Sequence, residues 1–239
     1  MTDKASSPWD YFDRFYCISL REREDRRRSA REEFAKVGLT DQVEFLVVER
    51  YSYDVMQQIY ESHMMCLQKG LEVGAQSIVV FEDDVGFEGF DPQKLQNCVE
   101  FLKQNPSWKV FLFGALIRAS HKTKNPHVQK VRYQSLTHAY ALNREYAQTL
   151  AYVPWQGIAN DTLFRPLKDD VYAAFPMFAF QKDFSSDNLE YLYLERFRNM
   201  WGGMKLVQKW VEFYRRHTFA VYATHIVFIL LILIFLFYR

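Results

Sequence analysis

The chain alternates short apolar runs with longer charged stretches, and each run predicts an element. Phe15 to Leu20, FYCISL, is rich in β-formers and reads as a buried strand. The charged stretch Arg21 to Glu33 follows, with Ala30, Phe34, Ala35 and Val37 giving a weak helical face and Gly38 a natural C-cap. Val43 to Val48 reads as a second strand, and Tyr60 to Leu71 as a helix closed by Gly70 or Gly74. Ser77 to Phe81, SIVVF, is a third strand that runs directly into Glu82-Asp83-Asp84. Asp91 and Pro92 open a helix through about Gln104, and Lys109 to Phe113 is a fourth strand with Gly114 at its exit. The polar segment Ser120 to Gln134 reads as a mobile loop, and Gly157 to Thr162 as a loop followed by a short helix. Strand alternating with helix predicts an α/β fold with a mainly parallel central sheet.

The last part of the chain follows another pattern. Phe219 to Tyr238 carries no formal charge at neutral pH, and Ile226 to Phe237 has no polar residue. At about 1.5 Å per residue, such a helix spans roughly 30 Å, the thickness of a hydrocarbon core. A buried core helix is the competing reading, and Thr224 and His225 favour it slightly. Lys205, Lys209, Arg215, Arg216 and His217 lie just upstream, and this positive flank predicts a catalytic domain on the cytosolic side of a single-pass C-terminal anchor. The polar first ten residues lack the apolar core of a signal peptide. The expected partition is a domain over 1–199, an amphipathic basic connector over 200–217 and the anchor over 218–239.

Composition narrows the partners. A net charge of +1 gives no reason to expect nucleic acid, and 49% hydrophobic residues suit an ordinary core. Cys17, Cys66 and Cys98 have no CxxC spacing, which predicts reduced thiols and neither a disulfide framework nor a zinc site.

Three consecutive acids at a strand's carboxyl end stand where open α/β sheets place ligands. A hard divalent cation, Mn²⁺ or Mg²⁺, is the natural counter-charge, held by one or two carboxylates plus ligand phosphates. In extended backbone Glu82 and Asp84 point one way and Asp83 the other, so the outer pair is expected to address a metal and Asp83 a different group. A solvated acidic turn is the plainer alternative. A metal across two phosphates neutralises charge on a leaving diphosphate, as sugar transfer from a nucleotide requires. Ser19, Arg21, Arg23 and Arg26 follow the first strand, and arginine suits a diphosphate by charge and planar shape. Interleaved Glu22, Glu24 and Asp25 also allow a solvated helix face; Arg21 and Arg26 are favoured for binding, and Arg23 is left on the surface.

Together these blocks resemble glycosyltransferase family 25, which includes bacterial lipooligosaccharide galactosyltransferases and collagen galactosyltransferase domains. FYCISLREREDR (Phe15 to Arg26) is similar to the family's opening strand and Arg-bearing loop, and SHMMCLQKGLEVG (Ser62 to Gly74) to its Ser-His helix. VVFEDDV (Val79 to Val85) is similar to its acidic motif, and THAYALNREYAQTL (Thr137 to Leu150) to its Ala-Tyr strand and helix. Asn160-Asp161 and FQKDFSSDN (Phe180 to Asn188) follow in the family's order. The resemblance covers roughly Phe15 to Asn188 and rests on order and spacing together. It implies a GT-A-like fold, a nucleotide-diphosphate sugar donor (UDP-linked), Mn²⁺, and transfer of galactose or glucose with inversion to a glycan, lipid-linked or protein acceptor. The chain departs from the family in having Tyr60-Glu61 where Gly-Cys usually precedes the Ser-His pair, in a short segment between Val48 and His63, and in its C-terminal anchor.

Asp161 is the candidate general base for the acceptor hydroxyl; a helix N-cap is its alternative role. The resemblance raises His63 from a structural hydrogen bonder to a phosphate or sugar contact. It also gives Gln181, Ser186 and Asp187 as site-closing residues, where a polar turn or cap is the alternative. Tyr140 is placed in the acceptor pocket or, as strand aromatics usually are, in the core. A metal-dependent nucleotidyltransferase or phosphohydrolase competes with this reading, though the chain has no Gly-rich phosphate loop and no second dense carboxylate motif. So does an inactive, transferase-like binding module on a membrane.

Overall fold

The structure is a computed structural model describing residues 7–50, 54–157, 159–182 and 202–238. In chain order its elements are β1 (Arg14–Leu20), α1 (Glu24–Lys36), β2 (Val43–Val48), α2 (Val55–Glu72), β3 (Ser77–Glu82), β4 (Val85–Phe87), α3 (Pro92–Gln104) and β5 (Val110–Leu112). Then come β6 (Leu116–Lys122), β7 (Val128–Ser135), β8 (Ala139–Asn143), α4 (Arg144–Leu150), β9 (Val171–Ala174), β10 (Ala179–Gln181), α5 (Met204–Arg216) and α6 (Thr218–Phe237).

One mixed sheet has the order β2-β1-β3-β8-β5-β9-β7-β6. From the pairings, β1, β2, β3, β5, β6 and β9 run in one direction, and β7 and β8 in the other. The chain is thus an α/β protein with a mainly parallel central sheet, as its alternating pattern predicts. Strand period 2 divides the core into two layers. Phe15, Cys17, Val79, Phe81, Phe111 and Ala141 face the layer that α1 and α3 cover. Tyr16, Ile78, Val80, Val110, Leu112 and Leu142 face the layer shared with α2 and α4. Because both faces of β3 are covered, its residues from Ser77 to Phe81 are all buried, which is why the sequence there is a continuous apolar run.

Two elements differ from the sequence reading. Ser120 to Gln134 is not a loop: β6 and β7 form an antiparallel hairpin there, and β7 pairs with β9. Val128, Val131 and Tyr133 turn inward, while β6 at the sheet edge keeps the charged and polar face that edge strands use against misassociation. The helix α2 starts five residues before Tyr60, at Val55, because the Asp54 carboxylate accepts from the amides of Met56 (2.9 Å) and Gln57 (3.1 Å).

Past the acids, β4 and β10 form a two-stranded antiparallel sheet. Gly114, at the exit of β5, packs so closely on this region that an added Cβ would collide with the backbone carbonyl of Ala179. Since backbone cannot yield as a side-chain tip does, Gly114→Ala is expected to cost ~3 kcal/mol or more, read as a lower urea midpoint.

Residues expected to form a connector fold as α5, with Met204 and Gln208 buried against the domain. The helix α6 has a mean hydropathy of 2.7 over its most apolar stretch and no buried residue, and it is long and apolar enough to cross a membrane.

Candidate functional site

The carboxyl ends of β1 and β3 are in register, with Ile18 opposite Glu82. The acidic turn is held by its own backbone: Glu82 N donates to His138 O (3.0 Å), Asp83 N to Ile18 O (3.1 Å), and Lys182 N to Asp84 O (2.7 Å). Anchored by β1, the start of β8 and the end of β10, the three side chains diverge.

Glu82 accepts from Thr137 Oγ1 at 2.9 Å and lies 3.4 Å from His63 Nε2. That second contact is an ion-pair distance without hydrogen-bond alignment, since Nε2 has no hydrogen-bond partner. His63 Nδ1 meets the Tyr140 hydroxyl at 2.9 Å, and Asn160 Nδ2 donates to Thr137 Oγ1 at 2.8 Å. Burial opposes ionisation of Glu82, but the His63 ring, His138 and the Thr137 hydroxyl outweigh it and hold its carboxyl below the usual range.

Asp83 turns the other way, to Arg26 Nη1 at 3.4 Å and beside the Ser19 hydroxyl. Its pKa is raised because burial outweighs both contacts. The Asp84 carboxylate accepts from Gln181 Nε2 at Oδ2 (2.9 Å), and its buried Oδ1 has no partner among the described residues. Burial first, then the Glu82 charge, pushes its carboxyl up to about 7.

His138 is fully buried next to Glu82, and burial lowers its pKa, favouring the neutral ring. Asp161 lies in a 3-10 turn, Asn160–Thr162, that has no side-chain cap; its carbonyl accepts from the Tyr133 hydroxyl at 3.1 Å. Through Asn160, Thr137 and Glu82 this turn is linked to the acids.

The structure therefore gathers Ser19, Arg26, His63, Glu82, Asp83, Asp84 and Gln181 at one end of the sheet, with Asp161 tethered to them. Several sequence expectations need correction. Glu82 and Asp84 bond different protein groups, Thr137 and Gln181, and residues 83 and 84 form a turn in which strand alternation no longer holds. Arg21 is turned outward, 68% exposed and paired with Glu49 at 2.9 Å, since it precedes α1 and has no burying face. Arg23, expected on the surface, is 12% exposed and forks onto Asp25. Tyr140 is fully buried in the core with its hydroxyl on His63, the place that strand aromatics usually take. Ser186 and Asp187 lie outside the described residues.

Other residues of the cluster went unassigned from sequence. Arg27 bonds the Leu20 carbonyl, Ser19 Oγ (3.2 Å) and the Arg21 carbonyl (2.8 Å), fastening the loop that follows β1. Thr137, His138 and Asn160 surround Glu82; their one sequence signal is their place beside the Ala-Tyr strand and Asp161. Among the described residues, no group of three or more His, Cys, Asp or Glu is arranged to hold a metal.

No protein-family model matches the sequence, and no curated protein does. Solved structures similar to the chain include A197 from STIV, at TM-score 0.44 and 14% identity over 72% of this chain and 87% of that one. A glycosyltransferase involved in the glycosylation of the major capsid of PBCV-1 is similar at TM-score 0.40 and 10% identity, over 67% and 81%. UDP-glucose pyrophosphorylase complexed with UDP-glucose is similar at TM-score 0.40 and 10% identity, over 68% and 72%. These likenesses are distant, and what the chain can do depends on its own site residues.

Proposed function

We propose that the chain is a metal-dependent glycosyltransferase of the GT-A type, related to family 25, that moves a hexose from a UDP-linked sugar to an acceptor hydroxyl with inversion. The observation that carries this reading is Asp84 Oδ1: a buried carboxylate oxygen with no donor among the described residues, just past the carboxyl end of a central strand. Such an oxygen, with Glu82 near enough to raise the Asp84 pKa, fits a hard divalent cation that completes its shell with phosphate oxygens. When bound, Mn²⁺ or Mg²⁺ would neutralise charge on the departing diphosphate.

The remaining steps belong to the chain. Gln181 fixes the Asp84 carboxylate by its other oxygen. Arg26, held against Asp83, supplies a positive charge beside the nucleotide, and Ser19 a hydroxyl. His63 acts through Glu82 rather than on the sugar, which makes it a positioning residue. The acceptor oxygen attacks the anomeric carbon, the bond from that carbon to the diphosphate breaks, and the leaving nucleoside diphosphate takes the electron pair. The hydroxyl proton passes to the Asp161 carboxylate. The helix α6 anchors the enzyme, with the catalytic domain on the cytosolic side.

The full chain in detergent, incubated with a panel of nucleotide sugars and Mn²⁺, is expected to release one nucleoside diphosphate. Pyrophosphate as the product would assign nucleotidyl transfer instead. No turnover and no binding by folded protein would leave a binding module.

A further inference from the structure

We propose that α5 is a membrane-surface helix whose outward face lies in the headgroup region of a bilayer carrying anionic lipid, so that the domain is held against the membrane rather than tethered at a distance. This rests on the reading of α6 as a bilayer span and not on the transfer chemistry.

The two faces of α5 have different occupants. Met204, Gln208 and Glu212 face the domain: Gln208 Nε2 donates to Ala179 O at 2.9 Å, and Glu212 accepts from Met177 N at 2.9 Å. The opposite stripe, at the i, i+4, i+7 spacing of one helix face, is Leu206, Trp210 and Phe213, exposed by 42%, 66% and 53%. A soluble domain gains nothing by presenting a Trp, a Phe and a Leu in line to water, and aromatics of this kind concentrate at membrane interfaces.

The helical path is also broken between α5 and α6. His217 ends α5 and precedes α6, and the rings of Tyr214 and Tyr222 meet at 6.3 Å. Eight residues along a straight helix would separate their Cα atoms by about 12 Å, and the helix is interrupted at His217, whose φ of −111° and ψ of 22° leave the helical region. The Thr218 hydroxyl donates to the carbonyls of Tyr214 (3.0 Å) and Arg215 (3.2 Å), satisfying acceptors at the break. A span that begins beyond this break leaves α5 free to lie along the membrane surface. Charge agrees with this setting: Arg215 and Arg216 stand at the break, and Lys205 and Lys209 flank the stripe while pairing with Glu88. Because Gln208 grips β10, and β10 carries Gln181 against Asp84, a docked α5 would set the acidic cluster at a fixed height above lipid.

The native cysteines are buried and free, with thiol pKa values raised by burial, so an introduced surface cysteine can be labelled selectively. Full-length Trp210→Cys, Leu230→Cys and Glu100→Cys, each carrying an environment-sensitive fluorophore, would be reconstituted into vesicles of phosphatidylcholine with phosphatidylserine. Lipids with quenchers at shallow or deep acyl positions report depth. The label at 210 is expected to brighten several-fold and to be quenched most by shallow groups, that at 230 by deep groups, and that at 100 by neither. A label at 210 that stays in water while 230 is quenched overturns the proposal. So does one shielded only as protein density rises, which would assign the face to a second copy. If 230 is not quenched, the span reading falls and the proposal with it.

Discussion

In the presence of a chelator at pH 8, Asp84→Asn is expected to unfold at a higher temperature than the unsubstituted protein, and with Mn²⁺ returned to show no sugar transfer. The sign follows from the carboxyl's pKa, about 7 in the fold against 3.8 for an ordinary aspartate. Below about pH 4 both folded and unfolded chains carry the proton, and the fold bears no penalty. As pH rises toward 7 the unfolded chain has ionised while the folded chain keeps its proton, so stability falls with pH across that window. Above about pH 7 the folded protein holds a buried charge that costs on the order of a few kcal/mol. Asparagine removes that cost and keeps an oxygen for Gln181, against about 1–3 kcal/mol for an amide N–H left without an acceptor. The gain should therefore be largest at pH 8 and vanish by pH 4 in thermal melts across that range. A carboxylate kept where it weakens the fold is what a ligand-binding role requires.

Asp161→Asn is expected to lower turnover by about 10³-fold while leaving affinity for the donor nucleotide within a few-fold, as loss of a general base does. Asparagine keeps the size and one oxygen of the aspartate, and the turn is also held by its backbone on the Tyr133 hydroxyl and by Asn160 on Thr137, so the variant should fold normally. Parallel measurement of kcat and of donor binding separates the roles. Loss of both would make Asp161 part of the donor or metal site, and loss of neither would remove it from the mechanism.

The strands that build the site were legible because β1 and β3 are covered on both faces and so appear as unbroken apolar runs. The acids followed as the residues at which that run stops. The β6–β7 hairpin was not legible, since edge strands with one wet face carry the composition of a loop. Nor could the direction of each acid be read, because alternation gives parity only within a strand, and Asp83 and Asp84 lie in a turn. Arg27 rather than Arg21 serves the loop after β1 for a similar reason. It occupies the first turn of α1, where helical side chains lean toward the N-terminus, whereas Arg21 lies before the helix. Thr137, His138 and Asn160 are brought to Glu82 by pairing of β8 with β3 and by the turn near Asp161, contacts distant in sequence. The Phe219 to Tyr238 segment was plain from composition alone, since α6 has no buried face.

The most direct test is turnover of the preferred nucleotide sugar by the full chain, measured after chelation, after return of Mn²⁺, and in Asp84→Asn. Transfer abolished by chelation, restored by Mn²⁺ and absent from a well-folded Asp84→Asn is the expected result. Transfer that survives chelation, or persists in the variant, would contradict the assignment of Asp84 and with it the metal-dependent mechanism.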